Sequence, residues 1–312
     1  MSKNIYANTI ALYQSNYLLG QDRLHRLKSA DFLDCLKILT ASCFFGDTTP
    51  TPLCDIDFLI NEQIKNLIDF VKEYSPNKDL TQFLLCQFDY SDYKTYYNYA
   101  RFDIDFFDSV VVKNDDLRGA FLAKNYSSFP KELADCFDKL DADPSLTPVK
   151  AKLSLLNSEF LKKLDLAKKL TREFENYTKT QIDLTNLLSV FRIKKMDTDL
   201  GQSVQSDKDF VLSQLLKFGF VEGEDYLSLF EEYSDAYSLL SDKDYFAFDD
   251  FVFKFLYQIL NKDFSAGSLD GFAPFLHYFF SRLLEIKQVK YLLVCKKNNI
   301  ALYGDFGGDL NE

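Results

Sequence analysis

Three stretches decide how this chain folds: FDYSDYKTYYNYAR from Phe88, IDLTNLLSVFRIKK from Ile182 and LEIKQVKYLLVCKK from Leu284. Each carries an early acid: Asp89, Asp183 or Glu285. Apolar residues follow one and four positions on: Tyr90 and Tyr93, Leu184 and Leu187, Ile286 and Val289. More stand at seven and eight: Tyr96 and Tyr97, Val190 and Phe191, Leu292 and Leu293. A base closes each phrase at position twelve: Arg101, Lys195 and Lys297. These spacings lay the apolar groups along one stripe of an α-helix. An acid in the first turn and a base in the last would complement the helix dipole, which reads the early acids as helix caps. The acids are 94 and 102 residues apart in a chain of 312, one phrase per third. Repetition at that period predicts three copies of one helical unit. The same order of acid, stripe and base is also what any amphipathic helix of an acidic protein can show.

Composition narrows the function classes. A hydrophobic content of 47% is ample for a substantial core, and with 31 Phe, 19 Tyr and no Trp the packing falls to Phe and Tyr. The net charge of −11 argues against broad nucleic-acid binding, which needs phosphate-neutralising Lys and Arg. Local basic clusters occur at 162–169 and 192–195. The six cysteines (Cys35, Cys43, Cys54, Cys86, Cys136, Cys295) form no C-x-x-C pair and read as reduced, mostly buried thiols of a cytosolic protein. The opening MSKNIYANTIALYQ lacks the basic start and apolar run of a signal peptide. The most apolar window, 272–294, is interrupted by Arg282, Glu285, Lys287 and Lys290, so no transmembrane span is expected.

Along the chain the pattern is helical nearly throughout. Ile60, Ile64, Leu67, Ile68 and Val71 form one stripe, ended by Ser75-Pro76, and Leu153, Leu156, Phe160, Leu164, Ala167 and Leu170 form another. Breaks fall at 46–52, 75–78, 141–148, 201–206 and 266–271. Short β-like runs such as 109–113 are too few to build a sheet, and the tail 304–312 is expected to be mobile.

The chemical motifs are sparse. His25 and His277 belong to no ligand pattern, and no P-loop, G-x-S-x-G elbow or G-x-G-x-x-G occurs. The Asp-rich stretches 141–152 and 197–208 lack the Gly and Glu that an EF-hand requires. The pairs Asp89/Asp92 and Asp105/Asp108, each three apart, could share a helix face. Opposed in an aromatic-lined bundle, they could hold Mg²⁺ and a diphosphate. A chain with 47 acids holds many such pairs by accident, and no basic partner motif for a diphosphate accompanies them.

The stretch YANTIALYQSNYLLGQDRLHRLKSADFLDCLKILTASCFFGD from Tyr6, with the three phrases in order, resembles the C-subunit family of the bacterial and archaeal V-type (A-type) ATPases, the AC39-like counterpart of the eukaryotic d-type stalk protein. FDYSDYKTYYNYAR is similar to that family's Y-D-Y-x-N-L-K-x-x-x-x-A-[KR] segment. IDLTNLLSVFRIKK matches its D-x-x-N-[IL] form, with Asp183, Asn186 and Lys194 in register and Arg192 one position late. LLKFGFVEGEDYLSLFE resembles the next segment, a Gly-containing turn and a helix, and Pro274, Tyr278, Glu285 and Ile286 match the family's close. Asp92, Tyr93 and Gln288 replace the usual Asn, Leu and Asn, and Lys290 stands where Arg is missing from the third copy, which marks a divergent member.

The resemblance implies an all-α fold of three similar helical units around a pseudo-threefold axis, shaped like a funnel, here 1–104, 105–200 and 201–312. It implies a non-catalytic rotor component with no cofactor, catalytic residue or metal ligand. The implied partners are the central shaft proteins of the soluble head and the proteolipid rotor ring, on the cytoplasmic side of a membrane that this chain does not cross. Asp89, Tyr90, Tyr93, Arg101, Asp183, Leu184, Asn186, Lys195, Glu285, Ile286, Val289 and Lys297 are structural markers of the repeat. Their apolar members are expected in the core. Their acids and bases either line the funnel or cap helices, and capping is the favoured reading. A helical-repeat adaptor for another partner and a Mg²⁺-dependent all-α enzyme remain the alternatives.

Overall fold

The computed structural model describes residues 3–46, 48–51, 53–104, 114–199, 219–221, 228–241, 245–261 and 271–302. Among them there is helix and turn but no strand, so the chain is all-α in its described part. The helices are α1 (Lys3–Ser15), α2 (Gly20–Ser29), α3 (Phe32–Ala41), α4 (Ile56–Tyr74), α5 (Lys78–Phe102), α6 (Asp115–Ala123) and α7 (Lys131–Ala142). There follow α8 (Pro148–Leu170), α9 (Arg172–Asp199), α10 (Ser228–Glu232), α11 (Ser234–Ser241), α12 (Tyr245–Asn261) and α13 (Ala273–Lys297). The chain divides into two compact units, one formed by Met1–Leu84 with Asp244–Glu312 and the other by Leu85–Lys243.

Local signals set most of the starts. Asp31, Asp55 and Asn114 each accept a hydrogen bond from a first-turn amide, at 2.8 Å from Asp34, 2.9 Å from Asp57 and 2.9 Å from Asp116. Thr147 accepts from the Lys150 amide and Pro148 occupies the first turn of α8, where its missing N–H costs nothing. Lys124 closes α6 in the left-handed region at φ 51°.

In the first unit α13 is the central element. Sixteen of its 25 residues are buried, which leaves it apolar on most of its circumference. It packs along α1 and α4 and touches α3 and α12. Phe70 of α4 stacks on Phe275 at 5.3 Å and meets Tyr278 edge-on at 4.6 Å. Asn8 of α1 completes the start of α13. Its Nδ2 donates to the Gly271 carbonyl at 2.7 Å and its Oδ1 accepts from the Phe275 amide at 3.2 Å.

In the second unit α8 and α9 fold back on each other through Thr171. Beside them, α5, α6 and α7 enclose an aromatic core of Tyr96, Tyr97, Phe121, Tyr126 and Phe137. Phe121 meets Phe137 edge-on at 4.9 Å. Tyr97 and Tyr126 turn their hydroxyls onto the two oxygens of Asp141, at 3.1 and 3.0 Å. One carboxylate thus satisfies both phenols of a core built without Trp.

The three phrases occupy the three longest described helices, of 25, 28 and 25 residues. This corrects the capping reading. Asp89, Asp183 and Glu285 each lie near the middle of a helix, because the apolar pattern continues upstream as far as Asn77, Thr171 and Phe272. Asn77 Oδ1 accepts from the Leu80 amide at 2.8 Å and so fixes the start of α5 well before Asp89. Arg101 and Lys297 do stand in last turns, whereas the side chain of Lys195 lies outside the described residues. The 105/108 aspartate pair, the run 109–113 and the tail 304–312 also lie outside them.

Candidate functional site

Two buried carboxyls organise the two units, and each grips a backbone turn far away in sequence. In the first unit Glu285 projects from the middle of α13 with 6% of its surface exposed. Its Oε1 accepts the Leu19 amide in the turn that opens α2, and the Gly20 amide also faces it. Arg282, one turn earlier, donates from Nη1 to Glu285 Oε2 at 3.3 Å. Its Nη2 donates to the Phe44 carbonyl at 3.1 Å and to Gln63 Oε1 at 2.9 Å, while the guanidinium lies 4.3 Å from the centre of the Phe44 ring. One ion pair therefore ties together α13, α4, the turn before α2 and the turn after α3. Burial pushes the Glu285 carboxyl above the usual carboxylate range; the Arg282 charge and the two amides only partly oppose it.

In the second unit Asp183 projects from the middle of α9 and is fully buried. Its Oδ2 accepts from the Phe220 amide at 2.9 Å and from the Tyr233 hydroxyl at 3.0 Å. The segment reaches the carboxyl because residue 219 is Gly. A Cβ built there would collide with Asp183 Oδ1, so only glycine lets the backbone come this close. Here too burial raises the carboxyl pKa, opposed by the Phe220 amide, the Tyr233 hydroxyl and the Val221 amide. The donors that hold it are neutral.

The first phrase departs from this pattern. Asp89 is exposed, and it is Asp92, one turn on, that is buried. A largely buried ion pair in this region joins Lys94 of α5 to Glu159 of α8, at 2.6 Å. At the position three after each acid, Asp92, Asn186 and Gln288 are all buried polar residues. Tyr90, Leu184, Ile286 and Val289 are buried in apolar surroundings, Tyr93 is half-buried, and Arg101 and Lys297 are exposed. Lys297 nevertheless donates to the Cys54 carbonyl at 2.9 Å.

Sequence reading missed the other halves of these junctions: Leu19–Gly20 with Arg282 and Gln63, and Gly219 with Tyr233. The spacing from Asp183 to Phe220 is 37 residues and from Leu19 to Glu285 it is 266, so no periodicity within one helix could join them. The glycines were a usable signal, because Gly20 opens α2 at a positive φ and Gly219 stands in a bend packed against Asp183 of α9. The Mg²⁺ arrangement finds no support on the first pair, since Asp89 and Asp92 differ in exposure and do not offer two carboxylates to one open face. Among the described residues no group of three or more His, Cys, Asp or Glu converges to hold a metal ion.

Both junctions use a helix-borne carboxyl to fix a backbone turn, which is an architectural task. Among the described residues no helix is long and apolar enough to cross a membrane. No curated protein matches the chain. The family model described as ATP synthase (C/AC39) subunit matches residues 7–301, from α1 to just past the last described helix. With the match spanning both junctions and all three long phrase-bearing helices, the chain belongs to the C/AC39 family of V-type ATPase subunits.

Proposed function

We propose that this protein is a non-catalytic central-stalk component of a V-type ATPase. It joins the rotating shaft of the ATP-hydrolysing head to the proteolipid ring and passes torque to the ring for H⁺ or Na⁺ transport. The observation that carries this reading is the family match over 7–301. The junctions support it physically. A torque element must resist bending, and buried carboxyls that clamp distant turns onto long helices restrict the relative movement of those elements. Three similar helical units, at 1–104, 105–200 and 201–312, set around a pseudo-threefold axis as a funnel, form the architecture proposed for this role. The protein would then sit on the cytoplasmic face, held to the membrane through the ring.

The test is affinity purification of the tagged protein from detergent-solubilised membranes of its host, with mass spectrometry of what accompanies it. Recovery of catalytic head proteins, shaft proteins and a proteolipid is the expected result. A protein found alone, or with unrelated partners, would overturn the rotor role and favour a helical adaptor.

A further inference from the structure

The first unit carries a cleft of about 520 Å³ whose lining brings tyrosines from the end of α1 together with carboxylates and aromatic rings of α4. On one side, Tyr13 near the end of α1 and Tyr17 just past it follow one turn apart, and both are more than half exposed. Tyr13 and Tyr17 share a hydroxyl hydrogen bond of 2.8 Å and meet edge-on at 5.5 Å, which holds both rings in fixed orientation. Asp69 and Glu73 stand one turn apart on α4, both exposed, with the Tyr74 hydroxyl turned to Glu73. No ion pair among the described residues involves either acid. Two like charges at this spacing repel each other along a helix. The cation on the floor, Arg282, is already committed to Glu285, Gln63 and the Phe44 carbonyl.

From this juxtaposition we infer that the cleft between α1 and α4 docks a basic amphipathic helix of a protein partner. Its apolar side chains lie against Tyr13, Tyr17 and Phe70, and its Lys or Arg residues pair with Asp69 and Glu73 and rest on the tyrosine faces. Tyrosine combines apolar area with low rotamer freedom, which suits an anchoring surface. Charge selects the occupant. A second copy of this chain, at −11, and an anionic lipid surface are both repelled by the two carboxylates. That the partner belongs to the rotary assembly rests on the proposed function; the cleft's preference for a basic helix does not.

The test uses the purified full chain and two synthetic helical peptides, one of Leu and Lys and one of Leu and Glu, read by fluorescence anisotropy. The Leu/Lys peptide is expected to bind and the Leu/Glu peptide not to. Asp69→Asn with Glu73→Gln should weaken binding about tenfold, the size expected when a small interface loses its central charged contacts. Asp135→Asn with Asp138→Asn removes the same charge from the exposed side of α7 in the other unit and should leave binding unchanged. Equal weakening by the two double variants would mean attraction to an acidic protein at large, and would overturn the proposal. So would undiminished binding to the first variant. A photo-crosslinking Leu/Lys peptide on the unaltered chain gives a second reading independent of any variant: label on α1 and α4 supports the cleft, and label elsewhere sinks it. Because no other ATPase protein takes part, this result stands or falls separately from the rotor assignment.

Discussion

Glu285 and Asp183 hold the same position in two copies of one phrase, and both clamp a distant turn beside a glycine, yet they do so by different physics. Glu285 is the longer side chain and reaches the Leu19–Gly20 turn without forcing a close approach. A Cβ at Gly20 would meet nothing within 4 Å, and that glycine is needed for its φ of +69°. Asp183 is one methylene shorter and draws the backbone in until only Gly219 fits. Glu285 is balanced by a guanidinium at 3.3 Å, whereas Asp183 is held by neutral N–H and O–H donors. The same sequence position can therefore set a turn through a charge pair or through dipoles alone. The partners, and not the acid, decide what its loss costs.

The largest expected effect tests the charge pair. Glu285→Ala leaves Arg282, whose side chain is 14% exposed, without its anion, and should cost about 3–5 kcal/mol in denaturant unfolding. A loss under about 1 kcal/mol would show that Gln63 and the Phe44 carbonyl suffice for the guanidinium. Next comes the steric contact. Gly219→Ala should cost about 1–3 kcal/mol by forcing a shift in a packed junction. In an Asp183→Ala background the same change should cost clearly less, because the atom it strikes is gone. Additive losses in that double-mutant cycle would place the strain elsewhere.

Asp183→Asn should be milder, about 1 kcal/mol, since the amide keeps an acceptor oxygen and no cation is stranded. If it cost as much as Glu285→Ala, the distinction between the two junctions would fail. The pH dependence sharpens the same point. The ordinary pKa of Asp183 is 3.8, and burial raises it in the fold. Between that value and the raised one the folded state binds more protons than the unfolded state, so this group's contribution falls as pH rises and returns on acidification. The melting temperature of the wild type relative to Asp183→Asn should therefore move in favour of the wild type as pH is lowered from neutrality through that window. A flat or reversed difference would contradict the raised value. Smallest of all, Asp89→Asn, at the exposed acid of the remaining phrase, should change stability by no more than about 0.5 kcal/mol.

Helices were legible because their signal is local. Of the stripe Ile60, Ile64, Leu67, Ile68 and Val71, all but the half-buried Ile64 are buried as the spacing predicts, and the Ser75-Pro76 break ends α4 at Tyr74. The error on capping had an equally local cause. An acid followed by an apolar stripe looks the same at the start of a helix as in its middle, and only the upstream capping groups tell the two apart. Asp89 shows the other limit, because a matching phrase does not say which polar position faces inward.

The sequence by itself determined that the described part of this chain is helical, that breaks fall at 75–78 and 141–148, that Phe and Tyr share the core with Leu, and which family it resembles. Those properties follow from composition and from periods of a few residues, which each segment carries wherever it is placed. The tertiary structure alone decided that Glu285 meets Leu19 and Arg282, that Asp183 meets Phe220 and Tyr233, and that Tyr17 and Asp69 line one cleft. Such pairings depend on how packed helices bring remote backbone amides within about 3 Å of a carboxyl. A buried carboxyl must find those donors, but nothing in its own neighbourhood of sequence names them.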